Sequence, residues 1–297
     1  MRKRGNYQFL GKFSWYIPGI GGMFALLAWL LVGAVIGGIL TMLFSLIAGQ
    51  QAIVDYGTLI SYPVMFVPPM LYAAVKSNAA SMSSPGVKLD SGNYSPLGGF
   101  VCALLAAVGT LSMAFWADAI TSLLPPMPET LKSVLGNLTG GNIFVSLLCV
   151  SIMAPLCEEW LCRGMVLRGL LHKGMKPVWA IIISAVFFAV IHFNPWQAVP
   201  AFLLGLLFGY VYYKTGSLKL TMLMHCVNNT FAVIASRIPG WEDMESFSDV
   251  ISGAPYWIII ASCFLLTCLV VLAYSKVPLK RPSGNMDPVP SIFDSNV

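Results

Sequence analysis

The chain has 297 residues, of which 57% are hydrophobic and 10% charged, with a formal net charge of +5. Ordinary soluble proteins carry roughly 25% charged residues, so this composition excludes an average soluble enzyme; the apolar residues instead fill helix-length blocks along almost the whole chain. The basic residues lie between those blocks and form no long patch, which argues against a nucleic-acid partner. The seven cysteines all lie in apolar segments with no Cys-x-x-Cys pair, neither a disulfide framework nor a zinc-knuckle spacing.

Eight blocks approach or exceed the roughly 17–25 residues a bilayer requires. They run over about 18–48, 57–75, 98–122, 142–171, 177–193, 196–213, 217–237 and 255–275. The fold class predicted is therefore all-α, a polytopic transmembrane bundle over 1–275 with a short disordered cytoplasmic tail at 276–297. In the first block, Gly33 and Gly37 predict close approach of another helix. The basic start Arg2-Lys3-Arg4 precedes an apolar run too long for a signal peptide, so it reads as an uncleaved span. In the second block, Pro63, Pro68 and Pro69 predict a kinked or broken helix.

Charge bias sets an orientation. Arg2, Lys3, Arg4 and Lys12 precede the first block, and Lys76 and Lys88 follow the second. Arg168, Lys173 and Lys176 surround the turn after the fourth, Lys214 and Lys219 follow the sixth, and Lys276, Lys280 and Arg281 follow the eighth. The loops between carry Asp55, Glu129, Lys132, Arg237, Glu242, Asp243, Glu245 and Asp249, mostly acidic. The positive-inside rule then places both termini in the cytoplasm.

The fourth block holds the informative anomaly. Glu158, Glu159 and Arg163 end an apolar run that has no charge from Ile143 to Met153, and an ionised side chain at bilayer depth costs a few kcal/mol or more, about 2.5–3.5 on insertion scales. Glu159 and Arg163 are four apart in the favourable acid-before-base order and should pair along the helix. Glu158 is rotated about 100° away and has no basic residue one turn off, which leaves it free to act. His225 and Asn229 share a face that Thr221 extends; Phe188 and His192 share another, with Ser184 one turn back. Each pair taken singly reads equally well as helix-helix hydrogen bonding.

Depth relates them. The turn Lys173-Gly174-Met175-Lys176-Pro177 joins blocks four and five, with Glu158 and His192 each 17 residues from Met175, hence roughly 25 Å from the turn tip. His225 and Asn229 lie roughly 14 and 20 Å beyond Gly216. Three helices can thus bring Glu158, His192, His225 and Asn229 to one level, open to the cytoplasmic side. A carboxylate and an imidazole about a water form a base and acid pair, and an imidazole with an amide can serve a developing oxyanion. Two imidazoles and one carboxylate, Glu158, His192 and His225, are also a set that holds Zn²⁺. No cysteine spacing supports a nucleophile at Cys157, Cys162 or Cys226.

Glu158-Glu159-x-x-x-Arg163-Gly164, Phe188-x-x-x-His192 and His225-x-x-x-Asn229, in that order on separate spans, resemble the three motifs of the CAAX-protease and bacteriocin-processing (CPBP) family. These are intramembrane metalloproteases related to type II CAAX prenyl endopeptidases. The resemblance covers about 142–240. It implies an intramembrane metalloendopeptidase of the bacterial cytoplasmic membrane acting on a peptide or membrane protein, with Glu158 and His192 activating water. His225 and Asn229 would then stabilise the oxyanion, and Glu159 with Arg163 would fix the helix. Zinc is an expected cofactor only in the metal version of that mechanism. Trp160 and Cys162 depart from the family pattern, a small aliphatic residue and Phe respectively, and predict an altered wall with an intact site. Two other readings remain: a non-catalytic scaffold or bacteriocin-immunity protein, and a proton-coupled transporter, against which the absence of an internal repeat counts.

Overall fold

The computed structural model describes residues 9–241 and 244–279, without the side chains of 137–140. Among these residues there is no strand. The helices are α1 (Ile20–Ala48), α2 (Gln50–Ala80), α3 (Gly99–Thr121), α4 (Glu129–Gly140), α5 (Ile143–His172), α6 (Pro177–Val190), α7 (Pro195–Thr215), α8 (Leu218–Ala235) and α9 (Ala254–Ser275). Each apolar block of the sequence has its helix. Six of them, α1, α2, α3, α5, α7 and α9, are long and apolar enough to cross a bilayer. The protein is an integral, multi-pass membrane protein. At 14 residues α6 is shorter, because Ile191 turns out of the helix and the chain re-enters α7 at Pro195.

Two details of the first hairpin differ in outcome. The glycines do what their spacing predicts: a methyl group on Gly33 would collide with Met65 O, and one on Gly37 would lie 2.8 Å from Ser61 O. The three prolines do not break α2, which runs on for 31 residues. Neighbouring helices can stabilise a membrane helix past its missing N–H groups, and α1 packs along α2 here.

α4 occupies a stretch that the sequence reads as a loop. It starts after Pro128 with Glu129 in its first turn, favourable against the helix dipole. Lys132 pairs with Glu129 at 3.0 Å and also with Glu245, whose other oxygen accepts Met127 N–H at 3.1 Å. Asp118 on α3 receives Ser246 Oγ at 2.8 Å and Phe247 N–H at 3.1 Å. The segment after α8 is thus tied to both α3 and α4.

Arg168, counted above among the charges of a basic turn, is instead fully buried. Its guanidinium donates to Tyr16 O (2.6 Å), Val87 O (2.8 Å), Ser14 O (3.3 Å), Phe13 O (3.4 Å) and, within α5, Gly164 O (2.5 Å). An arginine with five donors in a fixed fork can pin two segments of chain at once, here the one before α1 and the one after α2. Trp160 is buried against Phe13, with ring centroids 5.1 Å apart. That departure from the family pattern therefore packs into the core. At the other end, the expected tail does not begin at 276: Val277 is buried and Pro278 O accepts Asn93 Nδ2 at 2.6 Å. The rest of the predicted tail, 280–297, and Arg2, Lys3, Arg4, Glu242 and Asp243 lie outside the described residues.

Candidate active site

The site forms where α5 departs from regular helical geometry. Leu147–Met153 and Trp160–Leu167 are π-helical, with a turn of α-helix, Ala154–Glu159, between them. Wider turns of this kind often mark functional sites. Pro155 is a local cause, since it has no N–H to offer. Ala154 N–H bonds Cys149 O, five residues back. Val150 O is left with neither Ala154 nor Pro155 as a backbone donor, and it accepts Asn229 Nδ2 from α8 at 2.8 Å. Ser151 O, whose regular partner would be Pro155, accepts Cys226 Sγ at 2.5 Å. Two side chains of α8 thereby satisfy carbonyls that would otherwise be costly in hydrocarbon.

The glutamates occupy the last two positions of the α-helical turn. Arg163 Nη1 donates to Glu159 Oε1 at 2.6 Å, with both side chains fully buried, as the spacing predicts. Arg163 also donates Nη2 to Gly205 O at 3.1 Å and lies over the rings of Phe188 (4.6 Å) and Phe208 (5.3 Å). Glu159 has a second role that helix spacing does not reveal: the same Oε1 lies 3.1 Å from His225 Nδ1. A carboxylate only accepts, so Nδ1 carries the proton and Nε2 faces away from Glu159.

Nε2 of His225 lies 3.9 Å from Glu158 Oε2. That gap is too long for a direct hydrogen bond, and a water beside it can touch both groups. Glu158 Oε2 is itself buried without a hydrogen-bond partner. The other oxygen, Oε1, accepts the hydroxyl of Tyr62. The expectation that Glu158 stands free is therefore corrected: its partner comes from α2, a contact across 96 positions. Sequence reasoning missed Tyr62 because a tyrosine in an apolar helix carries no distinguishing signal.

His192 is placed differently from the reading above. It sits in the turn after α6, two residues past Val190, and the next residue, Phe193, has φ 56°. Its Nδ1 bonds Phe188 O at 2.7 Å, so that nitrogen carries the proton and Nε2 is left with its lone pair. Its ring meets Phe188 edge-on at 5.0 Å, and His225 meets the same ring at 5.3 Å. His192 joins the cluster through Phe188; no hydrogen bond or ion pair links it to Glu158. Ser184, on the same face, docks α6 to α5 through Cys162 O at 2.9 Å.

Among the described residues, no three His, Cys, Asp or Glu side chains converge closely enough to hold a metal ion. With His192 reaching the cluster only through Phe188, Glu158, His192 and His225 as placed do not fit a shared zinc. Cys226 is committed to Ser151 O, and Cys162 is buried in the core.

Residues 140–231 match the family described as type II CAAX prenyl endopeptidase Rce1-like. This stretch of the chain is Rce1-like. That span includes Glu158, Glu159, Arg163, His192, His225 and Asn229, and it excludes Tyr62. The uncharacterized protein YyaK of Bacillus subtilis is 27% identical over 158 residues, 48% of this chain and 53% of that protein. The membrane-embedded CAAX protease MroQ of Staphylococcus aureus is 31% identical over 113 residues, 36% of this chain and 44% of MroQ. The chain thus spans about half the length of the curated relatives it matches. No solved structure matches it.

Proposed function

We propose that this protein is an intramembrane endopeptidase in which Glu158 activates water against a peptide bond. The observation that carries this reading is the division of labour at Glu158: one oxygen is held by Tyr62, and the other is buried, unpartnered and close to His225 Nε2. A water beside Oε2 gives its proton to that oxygen as its own oxygen bonds the carbonyl carbon. The carbonyl electron pair moves onto oxygen. On collapse the carbon–nitrogen bond breaks, and Glu158 returns the proton to the leaving amine.

For His225 to donate to the oxyanion, its Nε2 first takes a proton from bulk water and keeps it through the step, with Glu159 holding Nδ1. Asn229 has a second amide proton beyond the one given to Val150 O. The motif resemblance, rather than a contact within the cluster, supports His192 as a second group for positioning the water, with its Nε2 keeping the lone pair. The family name and MroQ support peptides at a membrane surface as the substrate class. The basic turns support cytoplasmic termini and cleavage near the cytoplasmic face, and the two bacterial relatives support residence in a bacterial cytoplasmic membrane.

The test compares new N-termini in membrane fractions from cells carrying wild-type protein or Glu158→Gln at equal abundance. A set of termini present only with wild type supports the reading. Identical sets end it.

A further inference from the structure

We propose that Tyr62 is a positioning residue for the water-activating carboxylate, a role that rests on the endopeptidase reading. Tyr62 lies on α2, outside the Rce1-like region. Among the described residues it supplies the single hydrogen bond received by Glu158, through Oε1. Arg163 is spent on Glu159 and Gly205 O, so among the described residues no lysine or arginine holds Glu158. The terminal torsion of a glutamate is broad and roughly two-fold. Without an external donor the two oxygens interchange, and neither is kept near His225.

The tyrosine is itself held. Its ring packs on Phe66 at a centroid distance of 5.5 Å, and Phe66 is buried. Ser61 and Met65, on the neighbouring face of α2, are pressed against Gly37 and Gly33 of α1. The path from the α1 glycines to the reacting oxygen is thus contiguous: the glycine stripe sets how closely α2 approaches α1, and α2 carries the hydroxyl. The hydroxyl touches neither water nor substrate in this scheme. It acts by keeping Oε1 occupied and Oε2 directed at the reaction, and a misplacement of about 1 Å in such a group can cost 100-fold in rate.

The test uses full-length protein reconstituted in lipid nanodiscs and a synthetic peptide spanning one Glu158-dependent cleavage. Tyr62→Phe keeps the ring and removes only the hydroxyl. The expected result is a kcat lowered about 10- to 100-fold, with KM within twofold and thermal unfolding unchanged. Tyr56→Phe, which removes a hydroxyl from an exposed position of the same helix, should keep kcat near wild type. A wild-type kcat in Tyr62→Phe overturns the proposal, as does a loss confined to KM or an equal loss in Tyr56→Phe. Should Tyr62→Phe unfold, 3-fluorotyrosine at position 62 retains the ring and sharpens the donor; an unchanged kcat there also overturns it. The outcomes separate from those of the parent reading. An inactive Glu158→Gln beside a fully active Tyr62→Phe removes only the role of Tyr62, whereas an active Glu158→Gln removes both.

Discussion

His225 Nδ1 and Glu159 Oε1 are 3.1 Å apart, and this contact joins the first motif to the third across two helices. Arg163 uses the same carboxylate oxygen at 2.6 Å. Glu159 therefore neutralises a buried guanidinium and orients an imidazole at once. Removing it leaves Arg163 buried without a counter-charge, which costs about 3–5 kcal/mol. Glu159→Ala is expected to fail to accumulate. Glu159→Gln should accumulate poorly yet still accept Nδ1–H through its amide oxygen. Quantitative blots with unfolding in detergent check both, and wild-type stability for Glu159→Ala would contradict the shared-carboxylate arrangement.

Asn229 and Cys226 dock α8 on the irregular turns of α5. Asn229→Ala leaves Val150 O without its donor, a loss of about 1–2 kcal/mol for an interhelical hydrogen bond in a membrane. Cys226→Ala removes a weaker thiol donor from Ser151 O and should destabilise less. If Asn229 also serves the oxyanion, Asn229→Ala loses turnover well beyond what its stability loss explains, whereas Cys226→Ala keeps turnover. Unfolding midpoints measured beside turnover decide this; equal turnover in the two variants would reduce Asn229 to a docking residue.

The clasp outside the spans has a defined pH response. The Lys132 ammonium, and then Met127 N–H, hold the Glu245 carboxyl below its ordinary value, while Glu245 and Glu129 hold Lys132 above its own. A carboxyl lowered by folding contributes above its unfolded value, and the contribution disappears as pH falls through the lowered one. Titrating Glu245 by carbon NMR should give a midpoint below that of a free glutamate, moving upward in Lys132→Met. An unmoved midpoint would show that the pair does not persist in solution.

Much of this was legible in the chain because helical spacing is local. Glu159 with Arg163 and the close approach at Gly33 and Gly37 both follow from positions on one helix. What escaped depends on other elements or on departures from regular geometry. Tyr62 reaches Glu158 from a helix distant in sequence. Pro155 and its neighbours widen α5, so α8 hydrogen-bonds to carbonyls that a regular helix would have satisfied. His192 lies past the end of α6, since hydropathy continues through Ile191 after the helix has ended. Arg168 reads as a surface charge because a cage of backbone carbonyls leaves no trace in composition.

The central claim is that Glu158 delivers water to a peptide bond, and one measurement tests it most directly. Wild-type protein and Glu158→Gln, each reconstituted in nanodiscs, are incubated in ¹⁸O-labelled water with solubilised membranes from cells lacking the protein. The new C-termini are then read by mass spectrometry. The account predicts label in new carboxyl groups with wild type and none above background with Glu158→Gln, at equal folded amounts. Labelled termini at equal rates from both proteins would contradict it.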